Sequence, residues 1–96
     1  MDNLLAGDNL LLIDFYADWC GPCLMLDPSL AELDKKNKKD VDLIKVNVDE
    51  SAALAAQFQI NKLPTLFLIK GKKVIAKTNE VLKYEDLLKF IQLKDP

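Results

Sequence analysis

Histidine and arginine are both absent from this chain, and each absence closes a branch of chemistry. Without histidine there is no Ser-His-Asp or Cys-His nucleophile pair, and no imidazole to hold zinc or haem. Without arginine there is no arginine finger and no bidentate guanidinium clamp for carboxylate or phosphate. All 13 basic side chains are lysines, set against 15 acidic ones for a net charge of −2. No global field therefore draws the chain to nucleic acid, and Lys35, Lys36, Lys38, Lys39, Lys70, Lys72 and Lys73 read as solvated faces. Long apolar runs are missing too. One apolar run, Leu10 to Ile13, stops at Asp14, far short of the roughly 18 residues of a membrane span. The acidic start carries no basic region before an apolar stretch, so no signal peptide and a cytoplasmic location are expected.

What remains is a soluble composition in one short unit. Half of the 96 residues are hydrophobic and 29% are charged, so residues 1–96 read as a single globular domain with one modest core. Chemistry is left to carboxylates, lysines, tyrosines, hydroxyls and two cysteines, Cys20 and Cys23.

The pattern along the chain is β-α-β followed by β-β-α. Asp2 to Ala6 is a short amphipathic piece that ends at the turn composition Gly7-Asp8-Asn9. Leu10 to Tyr16 is an apolar run of the kind buried on both faces of a parallel sheet. After Cys20-Gly21-Pro22-Cys23, Leu26, Leu30 and Leu33 recur at helical spacing, with Pro22 suited to the first turn and Pro28 expected to kink the helix. Leu43 to Val48 is the second strand, and Asp49-Glu50-Ser51 precedes an alanine-rich helix reaching about Phe58. Thr65 to Ile69 and Val74 to Ala76 form a hairpin across Gly71, and Tyr84, Leu87, Leu88 and Ile91 mark a last helix. The expected fold class is α/β, a central mixed sheet of about four strands with helices on both faces.

A C-x-x-C pair serves metal binding or redox exchange. A structural metal site wants four ligands, and this chain offers neither a second cysteine pair nor a histidine, so no metal is expected. A structural disulfide closing so short a loop would remove little chain entropy. Redox chemistry fits the placement. Cys20 sits between a buried strand and a helix start, where partial positive charge and unpaired N–H groups favour a thiolate. Cys23, one turn further on, is expected to be more buried, so Cys20 is the nucleophile and Cys23 the resolving thiol.

Asp14 to Cys23, read as D-F-Y-A-D-W-C-G-P-C, resembles the active-site segment of the thioredoxin family, and Leu63-Pro64-Thr65 resembles its second signature. The resemblance runs from about Leu10 to the C-terminus and implies a thioredoxin-like fold from which the family's first strand is missing. It implies a protein-disulfide reductase that binds no cofactor and works through a Cys20–Cys23 disulfide. Electrons would come from NADPH through a thioredoxin reductase, and the partners would be that reductase and disulfide-bearing client proteins. Asp14 falls on the family's buried carboxylate, the proton acceptor for Cys23; an aspartate inside a buried strand is expected to have a raised pKa. Lys45 matches a lysine that can pair with that carboxylate. Pro64 matches a cis-proline facing the disulfide, turning the backbone of Leu63 toward an extended substrate. Trp19 matches an aromatic docking group beside the nucleophile. Gly21-Pro22 between the thiols resembles the reducing members of the family.

Several positions depart from the pattern. Lys62 and Glu80 stand where glycine is usual beside the substrate groove, which would narrow partner choice. Tyr16 replaces a frequent tryptophan, Leu24 a frequent lysine, and Lys83 a frequent serine cap. A missing first strand would leave Leu43 to Val48 as a sheet edge, so a monomer is expected with pairing to a second copy as the alternative. The alternative function is a docking module on the same fold that does not depend on redox activity.

Overall fold

The computed structural model describes residues 9–94, so the amphipathic piece and most of the turn expected at residues 2–9 lie outside the described residues. Strand β1 spans Leu10–Tyr16, and helix α1 spans Gly21–Lys36. They are followed by β2 (Asp42–Asn47), α2 (Ala52–Gln57), β3 (Thr65–Lys70), β4 (Lys73–Thr78), α3 (Tyr84–Ile91) and a closing 3-10 turn at Gln92–Lys94. The sheet order is β2-β1-β3-β4, with β1 and β2 parallel and the other pairs antiparallel. The strand-and-helix order read from the sequence is the order observed.

β1 is central in the sheet and covered on both faces, which is why it could be apolar almost throughout. Its residues alternate between two cores. Leu10 and Leu12 pack with Leu26, Leu30 and Leu33 of α1 and with Leu87 and Phe90 of α3. Leu11, Ile13 and Phe15 face the other side, beneath Leu54 and Phe58. There Phe15, Phe58 and Phe67 form a triangle with ring centroids 5.0 to 5.8 Å apart, tilted and edge-on as ring quadrupoles prefer. By the same alternation Asp14 belongs to the α1 face.

Boundaries moved in three strands, with β3 running one residue further than read, to Lys70. β2 begins and ends one residue earlier than read, and β4 extends beyond Val74–Ala76 on both sides as the hairpin pairs from Lys70↔Lys73 to Leu66↔Thr78. Helix α1 runs on through Pro28 as one element. The proline removes the N–H that would have bonded the Leu24 carbonyl, but both residues lie on the exposed side, where water takes that bond.

Helix α2 ends in a backbone motif that the sequence did not announce. Gln59 adopts φ 55°, the left-handed region, while the Ile60 N–H reaches the Ala55 carbonyl and the Gln59 N–H the Ala56 carbonyl, both at 3.0 Å. These are the two bonds of a Schellman turn, normally built on glycine. The turn directs Ile60, Asn61 and Lys62 toward the end of the sheet that carries the cysteines.

Candidate active site

β1 delivers the chain to the N-terminus of α1, and the two cysteines sit at that junction. Cys20 occupies the cap position and Cys23 the first turn, and the two are joined as a disulfide. The Cys23 N–H donates to Cys20 Sγ at 3.2 Å, one of the helix's otherwise unpaired donors. Donors aimed at that sulfur favour negative charge on it once the bond is reduced. Cys20 is 5% exposed and Cys23 2%, packed with Ala17, Tyr16, Val48 and Leu63.

Above the disulfide lies a groove of about 530 Å³ lined by Trp19, Cys20, Gly21, Pro22, Val48, Ala55, Ile60, Asn61, Lys62 and Leu63. Trp19 is 72% exposed, so its indole forms a wall and not core. Its Nε1–H donates to Asp49 Oδ2 at 2.8 Å. Asp49 is itself placed by Asn47, whose buried side-chain oxygen accepts from the Asp49 N–H at 2.9 Å. Leu63 also lines the groove, and its peptide bond to the buried Pro64 is cis. Thr65 Oγ1 donates to the Lys62 carbonyl, and the Asn79 side chain donates to the Pro64 carbonyl at 3.1 Å and to Thr65 Oγ1 at 2.8 Å. Asp49 and Asn79 are thus working parts of the site that sequence reading missed. Their roles depend on partners 30 and 14 residues away, and local pattern does not report such pairings.

Glu80 is exposed beside Asn79 and is not among the residues lining the groove, so of the two glycine replacements Lys62 alone faces it.

Asp14 is fully buried, and neither carboxyl oxygen has a hydrogen-bond partner among the described residues. Burial pushes its pKa up to about 6, with the Lys45 charge pulling it down and the Asp27 charge adding to the rise. The pairing expected between Asp14 and Lys45 needs correction. The two residues are opposite one another in register, yet the Lys45 ammonium sits 2.9 Å from Asp27 Oδ1 and 4.6 Å over the Tyr16 ring. A half-exposed carboxylate on α1 lets the cation stay hydrated, which a fully buried one would not. Lys45 reaches Asp14 only through its field.

A disulfide at a helix cap, a buried carboxyl with a raised pKa in the strand before it and a cis Leu63–Pro64 peptide are the features of this site. The thioredoxin family model matches residues 1–93. The chain belongs to the thioredoxin family. It is 43% identical to the thioredoxin of Haemophilus influenzae over 88 residues, which cover 92% of this chain and 82% of that protein. It is 46% identical over 72 residues to "Thioredoxin-T" of Drosophila melanogaster, covering 75% of this chain but spanning only 46% of that protein's length. Oxidised mitochondrial thioredoxin 3 from Saccharomyces cerevisiae superposes with a TM-score of 0.82 at 38% identity, over 94% of this chain and 83% of that one. As a thioredoxin domain with its C-x-x-C disulfide formed, the chain is a thiol-disulfide oxidoreductase.

Proposed function

We propose that this thioredoxin works in the reducing direction, taking electrons from NADPH through a thioredoxin reductase and passing them to protein disulfides. The observation that carries the reading is the Cys20–Cys23 disulfide at the β1–α1 junction beneath an open groove, with the buried carboxyl of Asp14 in the strand that leads to it. Clients enter as extended chain against Trp19 and Leu63.

The reduced Cys20 thiolate attacks one sulfur of a client disulfide. A Cys20–client S–S bond forms, the client S–S bond breaks, and one client sulfur leaves with the electron pair as thiolate. Cys23 then gives its proton to Asp14 and attacks Cys20 Sγ. The second client sulfur leaves as thiolate, and the Cys20–Cys23 disulfide described here is the product. Two electrons have moved to the client, and the dithiol of the reductase returns them.

A carboxyl with a pKa near 6 suits the acceptor role because it is ionised at neutral pH while keeping useful basicity. Disulfide, groove and acceptor all come from one chain, which supports a monomer as the working unit. A reductase belongs where thiols are kept reduced, which supports the cytoplasm.

Turnover of insulin disulfides with NADPH and a thioredoxin reductase tests the assignment. Cys20→Ser abolishes it, and Cys23→Ser accumulates mixed disulfides that dithiothreitol releases. Reduction supported only by glutathione would overturn the reductase assignment. Biological function retained by the Cys20→Ser, Cys23→Ser double variant would favour the docking-module reading.

A further inference from the structure

The side chain that holds Lys45 lies outside the machinery described so far. Asp27, on the second turn of α1, takes the Lys45 ammonium at 2.9 Å, and the Tyr16 ring supports the same ammonium from β1. We propose that Asp27 is a positioning residue for proton transfer: by holding Lys45 at its own carboxylate, it keeps that cation off Asp14 and leaves Asp14 able to accept the Cys23 proton. The inference rests on Asp14 being the acceptor, and it assigns a job to a residue that touches neither sulfur nor client.

Geometry makes the competition direct. Lys45 and Asp14 are register partners on adjacent parallel strands, and both belong to the face covered by α1. A lysine so placed has a short path to the buried carboxylate. Asp27 offers the same ammonium a carboxylate that keeps part of its hydration, so the cation loses less by pairing there. Burial works against the Lys45 ammonium, but the hydrogen bond and charge of Asp27 outweigh it and raise its pKa. From β3 the register neighbour of Asp14 is Leu66, which brings no charge. The charges acting on Asp14 are therefore Lys45 from β2 and Asp27 from α1, and the ion pair they form couples them.

The chemical consequence follows from the task. A carboxylate in contact with an ammonium is ionised but weakly basic, and a weaker base accepts a thiol proton less readily. With the cation diverted, the carboxyl stays neutral to higher pH and binds a proton more firmly when one is offered. The Lys45–Asp27 pair is itself half-exposed, and such pairs add little to folding stability. Its effect belongs in the titration of Asp14, where the part that acts through Lys45 is separated from the direct field of Asp27 by removing Lys45.

The test follows the Asp14 carboxyl carbon by ¹³C NMR in the oxidised protein, from about pH 4 to 9, in the native chain and three variants. In Asp27→Asn the freed ammonium turns to Asp14, and the midpoint falls by about one pH unit. In Lys45→Gln it rises. In the double variant, adding Asp27→Asn to Lys45→Gln produces less than about a third of its effect alone, because the residue it acts through is gone. Asp27→Glu restores the native midpoint. The acid limb of insulin turnover moves in the same sense, and matching thermal transitions show that the variants are folded. An Asp14 midpoint that ignores Asp27→Asn overturns the positioning role, as does an equal downward shift in the Lys45→Gln background. If instead Asp14→Asn leaves the acid limb of turnover in place, the acceptor role itself falls and the positioning role with it.

Discussion

Asp14 shows what the protein gives up for its chemistry. A carboxyl with a pKa near 6 in the folded chain and an ordinary one in the unfolded chain binds its proton more tightly when folded. Its contribution to stability is therefore complete below the unfolded pKa and is lost as pH rises through about 6. Above that, the buried charge costs up to about 3 kcal/mol relative to the neutral form. Asp14→Asn is expected to be more stable than the native chain at pH 8 by about 1 to 3 kcal/mol, with the advantage gone near pH 4. Paired urea unfolding curves at the two pH values check this, and the same variant turns over clients more slowly. The carboxylate was legible in the sequence because an aspartate interrupts an apolar run there. Asp27 was not, since a carboxylate on the half-exposed side of a helix looks like any solvated charge.

The elements were legible wherever a single period governed them. Leu26, Leu30 and Leu33 fixed the buried stripe of α1, and the apolar run of β1, broken only at Asp14, announced a strand buried on both faces. Turn geometry carried by an unexpected residue was not legible. Gln59 holds the left-handed position that closes α2, and a side chain there costs about 1 to 2 kcal/mol that glycine avoids. Gln59→Gly is expected to raise stability by about 0.5 to 1 kcal/mol, the gain being reduced by the greater freedom of glycine in the unfolded chain. Helix α3 offers a parallel case. Lys83 occupies its cap position and makes no side-chain bond to the exposed N–H groups, as its replacement of serine implied. Lys83→Ser is expected to gain about 1 kcal/mol, read as a raised midpoint in guanidinium unfolding. Neither site touches the disulfide, so both variants keep full turnover.

At the scale of the molecule, a nearly balanced charge leaves recognition to the groove. Its lining is apolar and amide apart from Lys62, so that ammonium is the charge a client meets in the groove itself. Lys62→Glu is expected to slow reduction of an acidic disulfide peptide by about threefold to tenfold at low ionic strength. The difference should close as salt approaches about 1 M, where the screening length falls to about 3 Å. Stopped-flow rates across a salt series measure both ends, and light scattering on the same samples reports whether the working unit is the monomer.

The disulfide itself is almost withdrawn from solvent, at 5% exposure for Cys20 and 2% for Cys23. A small dissolved thiol meets little sulfur surface from most directions of approach. A chain laid between Trp19 and Leu63 can bring its own sulfur in along the line that exchange requires. The walls therefore act as insulation around a live contact: they admit a partner that fits and leave a small dissolved thiol little sulfur to reach.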